Sequence, residues 1–298
     1  MRLLSRGLTR TTAKIGWYPV RAVFVVLTLA MTVGTVSWAH DFWLVPNAFH
    51  ARQGGMVEVR GQTSSRFPTS ESAVAVERVA DARLISKGGA DRITGLAIDG
   101  KSLRLRHRPR RSAQYVVAVS LEPRSIRESV GSFLRYLELE GAPEARRRLE
   151  ADGTLAGRDS VTRRYAKYAK TFVQVGRGGP RAFAEVAGHP LELLPVRDPS
   201  AARRGDTLRF RLLYRGAPLE GARLTAGAVV HSATSLESPV VTSPDTTLVT
   251  DRSGEIVVRL GAAGLWNVRG IHIAPAEPGS GADWDTHWVS IVFHAALR

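Results

Sequence analysis

Cysteine is absent from all 298 residues, and several motifs that carry chemistry are missing with it. The first absence excludes a disulfide framework and any thiolate that could act as a metal ligand or a nucleophile. There is no G-x-S-x-G elbow for hydrolysis and no Walker-type run for nucleotide phosphates. There is no H-E-x-x-H spacing either, so any metal site has to be assembled from residues that are distant in sequence.

Acidic residues are missing from the first 21 positions, which carry the five basic residues Arg2, Arg6, Arg10, Lys14 and Arg21. An uncharged run from Ala22 to Val36 follows and ends at Ser37-Trp38-Ala39, with small residues at the first and third places. A basic segment, an apolar segment and a small-x-small site are typical of a secretory signal peptide. The alternative is an uncleaved anchor, for which Ala22 to Ala39 is at the short edge of the roughly 20 residues that cross a bilayer. We predict cleavage after Ala39 and a periplasmic or secreted protein that touches the membrane only before cleavage.

The mature chain keeps a large excess of basic residues. The formal charge of +15 falls to +10 when the five basic residues of the signal segment are removed. The arginines are spread along the chain without a repeated basic-aromatic pattern, so we interpret them as solvated surface charge and predict no nucleic-acid partner.

Short valine-rich runs bounded by Gly, Pro, Asp and Ser predict strands and turns in both halves of the mature chain. The pairs Gly88-Gly89 and Asp99-Gly100 are typical of hairpin turns. Between about Ser125 and Lys170 the pattern changes to helical spacing, with Ser125 as the expected cap of the first piece. A second helical piece is A-P-E-A-R-R-R-L-E-A-D-G, and a third, R-R-Y-A-K-Y-A-K-T-F-V-Q-V, is read as starting helical and finishing as a strand. We therefore predict a mainly β protein of two sandwich domains, immunoglobulin-like or transthyretin-like.

The predicted boundary lies near Gly188, where H-P-L-E-L-L-P-V begins the second half. The predicted organisation is a signal peptide over 1–39, a first sandwich over 40–187 with a helical insert at about 125–170, and a second sandwich over 188–298.

Several runs along the chain together resemble the sequences of one known family. They are A-H-D-F-W-L-V-P, R-F-P-T-S-E-S-A-V-A-V-E-R-V-A, R-R-Y-A-K-Y-A-K-T-F-V-Q-V-G, G-H-P-L-E-L-L-P-V, Y-R-G-A-P-L-E-G-A, T-D-R-S-G-E-I, G-L-W-N-V-R-G-I-H-I and G-A-D-W-D-T-H-W-V-S-I-V-F. Through these runs, which extend over nearly all of the mature chain, it resembles a family of exported bacterial proteins of unknown function formerly catalogued as the NikM-like nickel-uptake component. The resemblance implies an exported, β-rich protein associated with uptake of nickel, cobalt or another transition metal.

His40 is the strongest candidate metal ligand. As the first residue of a mature protein it offers its amine and its imidazole to one ion, a nitrogen chelate that suits Cu(II) or Ni(II). Asp41 follows as a possible oxygen ligand or as an acceptor that orients the ring. The alternative is that the first strand starts at Asp41 and that His40 frays in solvent.

His272 is the predicted second imidazole, because the resemblance includes it and because its side chain faces away from the flanking Ile271 and Ile273. The alternative for His272 is a hydrogen bond on a polar sheet face. Asp283, in G-A-D-W-D, is a candidate oxygen ligand or a turn residue. His287 and His294 are weaker candidates, because the resembling family does not require histidine there. His189 is expected at the domain boundary, and solvated positions are expected for His50, His107 and His231.

The sequence thus predicts a binding protein, not an enzyme, that holds a divalent nickel, cobalt or copper ion for uptake or handling. Its expected partner beyond the metal is an envelope transporter or an outer-membrane receptor. Two alternatives stay open: a copper-dependent oxidative enzyme built on an N-terminal histidine brace, and a metal-free envelope interaction module.

Overall fold

Alternating burial along the strands shows how the sequence forms its sheets. In the strand Thr207–Tyr214, Leu208, Phe210 and Leu212 are buried while the residues between them are exposed. This period of two is typical of a strand with one face on a core.

The structure is a computed structural model that describes residues 40–230 and 241–297, without the side chains of 241–244. The predicted signal segment, residues 1–39, and His231 therefore lie outside the described residues.

The strands are Asp41–Pro46 (β1), His50–Ala51 (β2), Val57–Ser64 (β3), Val79–Ser86 (β4), Gly89–Arg92 (β5), Gly95–Asp99 (β6), Ser102–His107 (β7), Ala113–Leu121 (β8), Arg124–Ser129 (β9), Ser160–Val175 (β10), Leu191–Pro195 (β11), Thr207–Tyr214 (β12), Ala217–Pro218 (β13), Arg223–Val230 (β14), Val241–Val249 (β15), Glu255–Arg259 (β16), Gly264–Pro275 (β17) and Trp284–Ala295 (β18). The helices are Val130–Leu139 (α1) and Pro143–Ala151 (α2). Single 3-10 turns lie at Val76–Arg78 and Pro199–Ala201. Among the described residues, no helix is both long and apolar enough to cross a membrane.

The described residues form three sheets. The first sheet has the strand order β1-β3-β7-β6. The central sheet has the order β15-β14-β17-β18-β10-β8-β4-β5, with β2 and β9 also pairing with β10. The third sheet contains β11, β12 and β13, with β16 beside β12. Most pairs are antiparallel, but β10 runs parallel to both β18 and β2.

The central sheet has a different layer on each of its two faces. On what we call the first face, β1, β3 and β7 contribute Phe42, Leu44 and Leu103 to a core with Val117 and Val173 of the central sheet. The helices cover another part of the same face through a core that contains Phe133, Leu137, Ile271, Trp284 and Trp288.

On the opposite face, which we call the second face, the third sheet packs Leu193, Phe210 and Val258 against Phe172 and Ile291. Sheets packed face to face around apolar cores confirm the predicted mainly β sandwich fold.

The predicted boundary near Gly188 falls between β10 and β11, and strands from the two sides of this boundary pair with each other. Residues Ala39–Arg298 form one compact unit. In the central sheet, β10 pairs with β18, so strands from both predicted halves belong to one sheet. The boundary itself stays a prediction.

The predicted helical insert contains α1 and α2, but its edges differ from the prediction in two places. Ser125 lies in β9, and the cap of α1 is Ser129, whose side chain accepts a hydrogen bond from the Ser132 N–H at 3.1 Å. The expected third helical piece is wrong, because R-R-Y-A-K-Y-A-K belongs to β10. That strand is covered on both faces, so it lacks the polar and apolar alternation that would have identified it.

Candidate functional site

His40 lies immediately before β1, and its two ring nitrogens have different surroundings. Its Nε2 lies 3.5 Å from Oε2 of Glu71, and the His40 side chain is 30% exposed. Its Nδ1 is buried and has no hydrogen-bond partner. One ring nitrogen therefore faces a carboxylate, while the other is enclosed and has no hydrogen-bond partner.

Glu71 is fixed by the residues that follow β3. Its Oε1 accepts hydrogen bonds from the Ser64 hydroxyl at 2.7 Å, from the Ser65 hydroxyl at 3.0 Å and from the Ser65 main-chain N–H at 3.2 Å. These bonds, that of Ser64 above all, lower the pKa of Glu71 to about 2. The carboxylate is thus ionised at neutral pH and presents its remaining oxygen to His40.

Asp41 and Lys167 flank the main chain of His40 on the first face of the central sheet. The Lys167 ammonium donates a hydrogen bond to the His40 carbonyl oxygen. Burial lowers the pKa of Lys167 to about 8. Asp41 Oδ2 pairs with Arg269 Nε at 2.9 Å, while burial raises the pKa of the Asp41 carboxyl. These contacts hold the first residue of β1 and the His40 carbonyl on the sheet, and β1 begins at Asp41 as the alternative expected.

A polar cluster that the sequence did not indicate lies beside this segment. Arg163 is buried, pairs with Glu128 at 2.9 Å and lies 3.8 Å from the centre of the Tyr136 ring. Glu140, whose pKa is raised to about 7, chiefly by burial, interacts electrostatically with both Asp41 and Lys167. The cluster combines residues of β9, α1, β10 and the segment after α1, which only the folded chain brings together.

The structure does not bring His272 to His40. In β17, His272 is directly opposite His287 of β18, and its ring lies 4.4 Å from that of Tyr214 in the third sheet. The His272 side chain therefore projects from the second face. Lys167 and Arg269, which contact His40 and Asp41, project from the first face. Successive strand residues point to opposite faces of a sheet, so His272 and Arg269 of β17 lie on opposite faces. The predicted ion shared by His40 and His272 stays a prediction that this placement does not favour.

Asp283 is also separate from His40 and has its own partners. Its Oδ1 accepts a hydrogen bond from Arg158 at 2.6 Å, and its Oδ2 accepts one from the Thr162 N–H at 2.7 Å. These two bonds lower the pKa of Asp283. Both carboxylate oxygens of Asp283 therefore accept hydrogen bonds just before β18. This agrees with the alternative that Asp283 is a turn residue.

Two histidines that the sequence ranked low, His189 and His287, are buried on the second face. Both line a cavity of about 510 Å³ between the third and central sheets. Within residues 40–230 and 241–297, no three His, Cys, Asp or Glu side chains converge as metal ligands. His189 and His287 are buried because the third sheet packs over them, and the local sequence gives no signal of that packing.

The comparisons with solved structures show only low similarity. Salmonella alpha-2-macroglobulin reacted with methylamine is 12% identical over 87% of this chain and 15% of that chain, with a TM-score of 0.24. The Escherichia coli adhesin FdeC is 16% identical over 87% of this chain and 65% of that chain, with a TM-score of 0.23. The chain thus spans about 15% of the length of that macroglobulin.

No curated protein matches the sequence. One family does, and it is described as a domain of unknown function (DUF4198). The match extends over residues 37–274, from the end of the predicted signal segment to the end of β17, and so includes both His40 and His272. Because it covers most of the sequence, the chain belongs to the DUF4198 family.

Proposed function

We propose that this chain is an exported protein that binds a divalent transition metal ion, nickel, cobalt or copper, through His40. One observation carries the proposal: Nδ1 of His40 is buried without a partner while Nε2 faces the Glu71 carboxylate. A histidine that ligates a metal usually donates its other ring N–H to a carboxylate or a carbonyl, which fixes the ring and its tautomer. The 3.5 Å separation between Nε2 of His40 and the Glu71 carboxylate supports such a role for His40.

The second nitrogen ligand in this proposal is the amine of His40 itself. Cleavage after Ala39 would free that amine, and the amine and Nδ1 of one residue close a chelate ring on one ion. Two donors on one residue lose less entropy on binding than two donors on separate elements, and nitrogen donors suit Cu(II) and Ni(II). Asp41, held by Arg269, is the nearest candidate oxygen ligand along the chain.

The proposed site leaves out His272, which contacts Tyr214, and Asp283, which is hydrogen-bonded to Arg158. The remaining coordination positions belong to water or to a partner. Such an open site suits uptake or handling, in which an ion must be passed on. We propose the periplasm or the exterior as the location, and an envelope metal transporter or outer-membrane receptor as the partner. The resemblance to the NikM-like component supports this assignment.

Isothermal calorimetry with Cu(II), Ni(II), Co(II) and Zn(II) tests the proposal on protein that begins at His40. A version whose N-terminal amine is acetylated blocks that donor and adds no new chelating amine, and we expect it to bind at least about 100-fold more weakly. Glu71→Gln removes the charge that orients the ring, and we expect affinity to fall by about 10- to 100-fold. His272→Ala is the matched control, a histidine on the second face whose loss leaves the affinity unchanged.

Equal affinity of the mature and N-terminally acetylated proteins would reject the chelate. If no ion binds, the metal-free interaction module takes its place. If the copper-loaded protein consumes oxygen or peroxide, the oxidative enzyme replaces the uptake role while the ligand assignment stands.

A further inference from the structure

A second site lies on the other side of the central sheet from His40. Its cavity of about 510 Å³ lies between β10 and β18 of the central sheet and the segments around β11 and β12. The walls include Tyr168, His189, Pro190, Leu213 and His287. A volume of this size, largely apolar and aromatic with a few polar groups, is typical of small-molecule sites.

Buried imidazole nitrogens in this wall lack partners. His189 is 6% exposed, and neither of its ring nitrogens has a hydrogen-bond partner. His287 is 7% exposed; its Nδ1 lies 3.2 Å from the Tyr168 hydroxyl, while its Nε2 has no partner. A buried polar atom without a partner costs free energy, so these nitrogens indicate a group that binds there.

Both histidines are neutral at physiological pH, because burial lowers the pKa of His189 and that of His287 to about 4. A neutral imidazole has one donor and one acceptor nitrogen. His189 therefore offers a donor and an acceptor, and His287 offers one further polar atom.

The charged groups of the wall are already paired. Arg164 makes two hydrogen bonds to Asp285, at 2.7 and 2.8 Å. Arg215 pairs with Glu277 at 2.6 Å. The remaining charged side chain of the wall, Glu192, forms an ion pair with the buried Lys170. Since each charge has an opposite partner, a charged ligand would gain no free counter-charge and would lose its hydration.

The aromatic rings of the wall lie close together and nearly parallel. The centre of the Tyr168 ring is 5.3 Å from that of His189, with 30° between the planes, and 5.9 Å from that of His287, with 21° between them. The Tyr214 ring lies behind this pair, 5.4 Å from His287 and inclined to it by 55°. Flat faces at these separations favour stacking with another planar group.

We propose that this cavity binds an uncharged planar molecule, a primary amide or heteroaromatic ring with adjacent donor and acceptor atoms, which stacks on the Tyr168 wall and hydrogen-bonds to His189 and His287. The site is independent of the metal chelate, since it lies on the opposite face of the sheet and uses none of its residues. Its ligand class follows from paired charges, neutral imidazoles and flat walls.

Benzamide, benzoate and benzamidine test the proposal, because they share size and shape but differ in charge. For a probe this small we expect benzamide to bind with a Kd on the order of 1 mM. Benzoate and benzamidine should bind at least about 10-fold more weakly. Binding is measured by protein-observed NMR titration, and a crystal soaked in benzamide locates the probe.

Two variants assign the contact to His189. His189→Phe keeps a flat ring but removes both nitrogens, so benzamide affinity should fall about 10-fold or more. His189→Gln restores a donor and an acceptor and should recover part of that loss. His107→Phe on β7, outside the cavity, is the control and should bind benzamide like the unmodified protein. Thermal unfolding confirms that each variant is folded.

Several results would overturn the proposal. They are equal affinity for benzoate and benzamide, a probe located outside the cavity, unchanged affinity in folded His189→Phe, or no binding of benzamide at 20 mM, about 20 times the expected Kd. Zn(II) or Ni(II) bound at His189 and His287 would also reject it in favour of a metal site. None of these outcomes bears on the chelate at His40, which acetylation of the N-terminal amine tests separately.

Discussion

A buried ion pair between Lys170 and Glu192 offers a sharp test of how the third sheet is held on the central sheet. The two side chains are 1% and 2% exposed, and Nζ lies 2.7 Å from Oε1. Glu192 also accepts hydrogen bonds from the main-chain N–H groups of Ala187, Gly188 and His189, at 2.6, 2.9 and 3.2 Å. The pair therefore joins β10 to the loop that carries the cavity histidine.

Removing one partner of a buried pair costs about 3–5 kcal/mol, because the other charge stays buried and uncompensated. We expect Lys170→Met to lie near the lower limit, about 3 kcal/mol, because Glu192 keeps three N–H donors. Glu192→Leu should cost more, about 5 kcal/mol, because those donors lose their acceptor at about 1 kcal/mol each and the ammonium loses its partner. For a chain of this size, 3 kcal/mol lowers the Tm by about 6–12 °C.

Urea denaturation at pH 7 measures these values, and the double variant completes a cycle. The double variant should be less destabilised than the sum of the single variants by about 2–3 kcal/mol, because no buried charge remains. Arg252→Met, from the exposed pair of Arg252 with Glu220, is the control and should change stability by less than about 0.5 kcal/mol. A loss below about 1 kcal/mol for Lys170→Met, with additive single variants, would refute this account of the pair.

Three further predictions concern stability. Ser129→Ala should cost about 1 kcal/mol in urea denaturation, because the first turn of α1 loses its cap, whereas Ser129→Thr should retain most of it. Gly264→Ala should cost about 2 kcal/mol or more, because Gly264 has a φ of +131° and an added Cβ would lie 2.3 Å from the Val229 carbonyl oxygen; no change in stability would contradict this. Burial lowers the pKa of His189 from 6.5 to about 4, so the unfolded chain binds more protons in this interval and stability falls as the pH drops from 6.5 to 4. His189→Gln should reduce that slope by up to about 1.4 kcal/mol per pH unit, and an unchanged slope would mean that the imidazole is not buried as described.

The local features of the fold could be read from the sequence because they depend on neighbouring residues. The glycine pairs predicted as hairpin turns lie at the β4–β5 and β6–β7 connections, where Gly88 and Gly100 have φ of +88° and +57°. These conformations are open to glycine and strained for most other residues, so the sequence signal is direct. Alternation likewise predicted correctly that His272 faces away from Ile271 and Ile273.

The candidate site could be predicted only in part, because its geometry depends on packing between distant segments. His40 was identifiable from the cleavage pattern, but Glu71 is 31 positions away in a loop, and no local spacing connects the two. The side of the sheet on which His40 lies is set by the path of β1, so its separation from His272 was not visible. His189 and His287 gave no signal for the same reason, since their surroundings exist only once the third sheet is in place.

The most direct test of the central claim is the position of the metal in a crystal of protein that begins at His40. Crystals grown with Ni(II) or Cu(II), with anomalous data collected at the absorption edge of the metal, locate the ion. We predict one strong peak about 2 Å from both the amine nitrogen and Nδ1 of His40, with Nε2 still facing Glu71. A peak bound through Nε2 alone, or a strong peak only at His272 or elsewhere, would contradict the chelate.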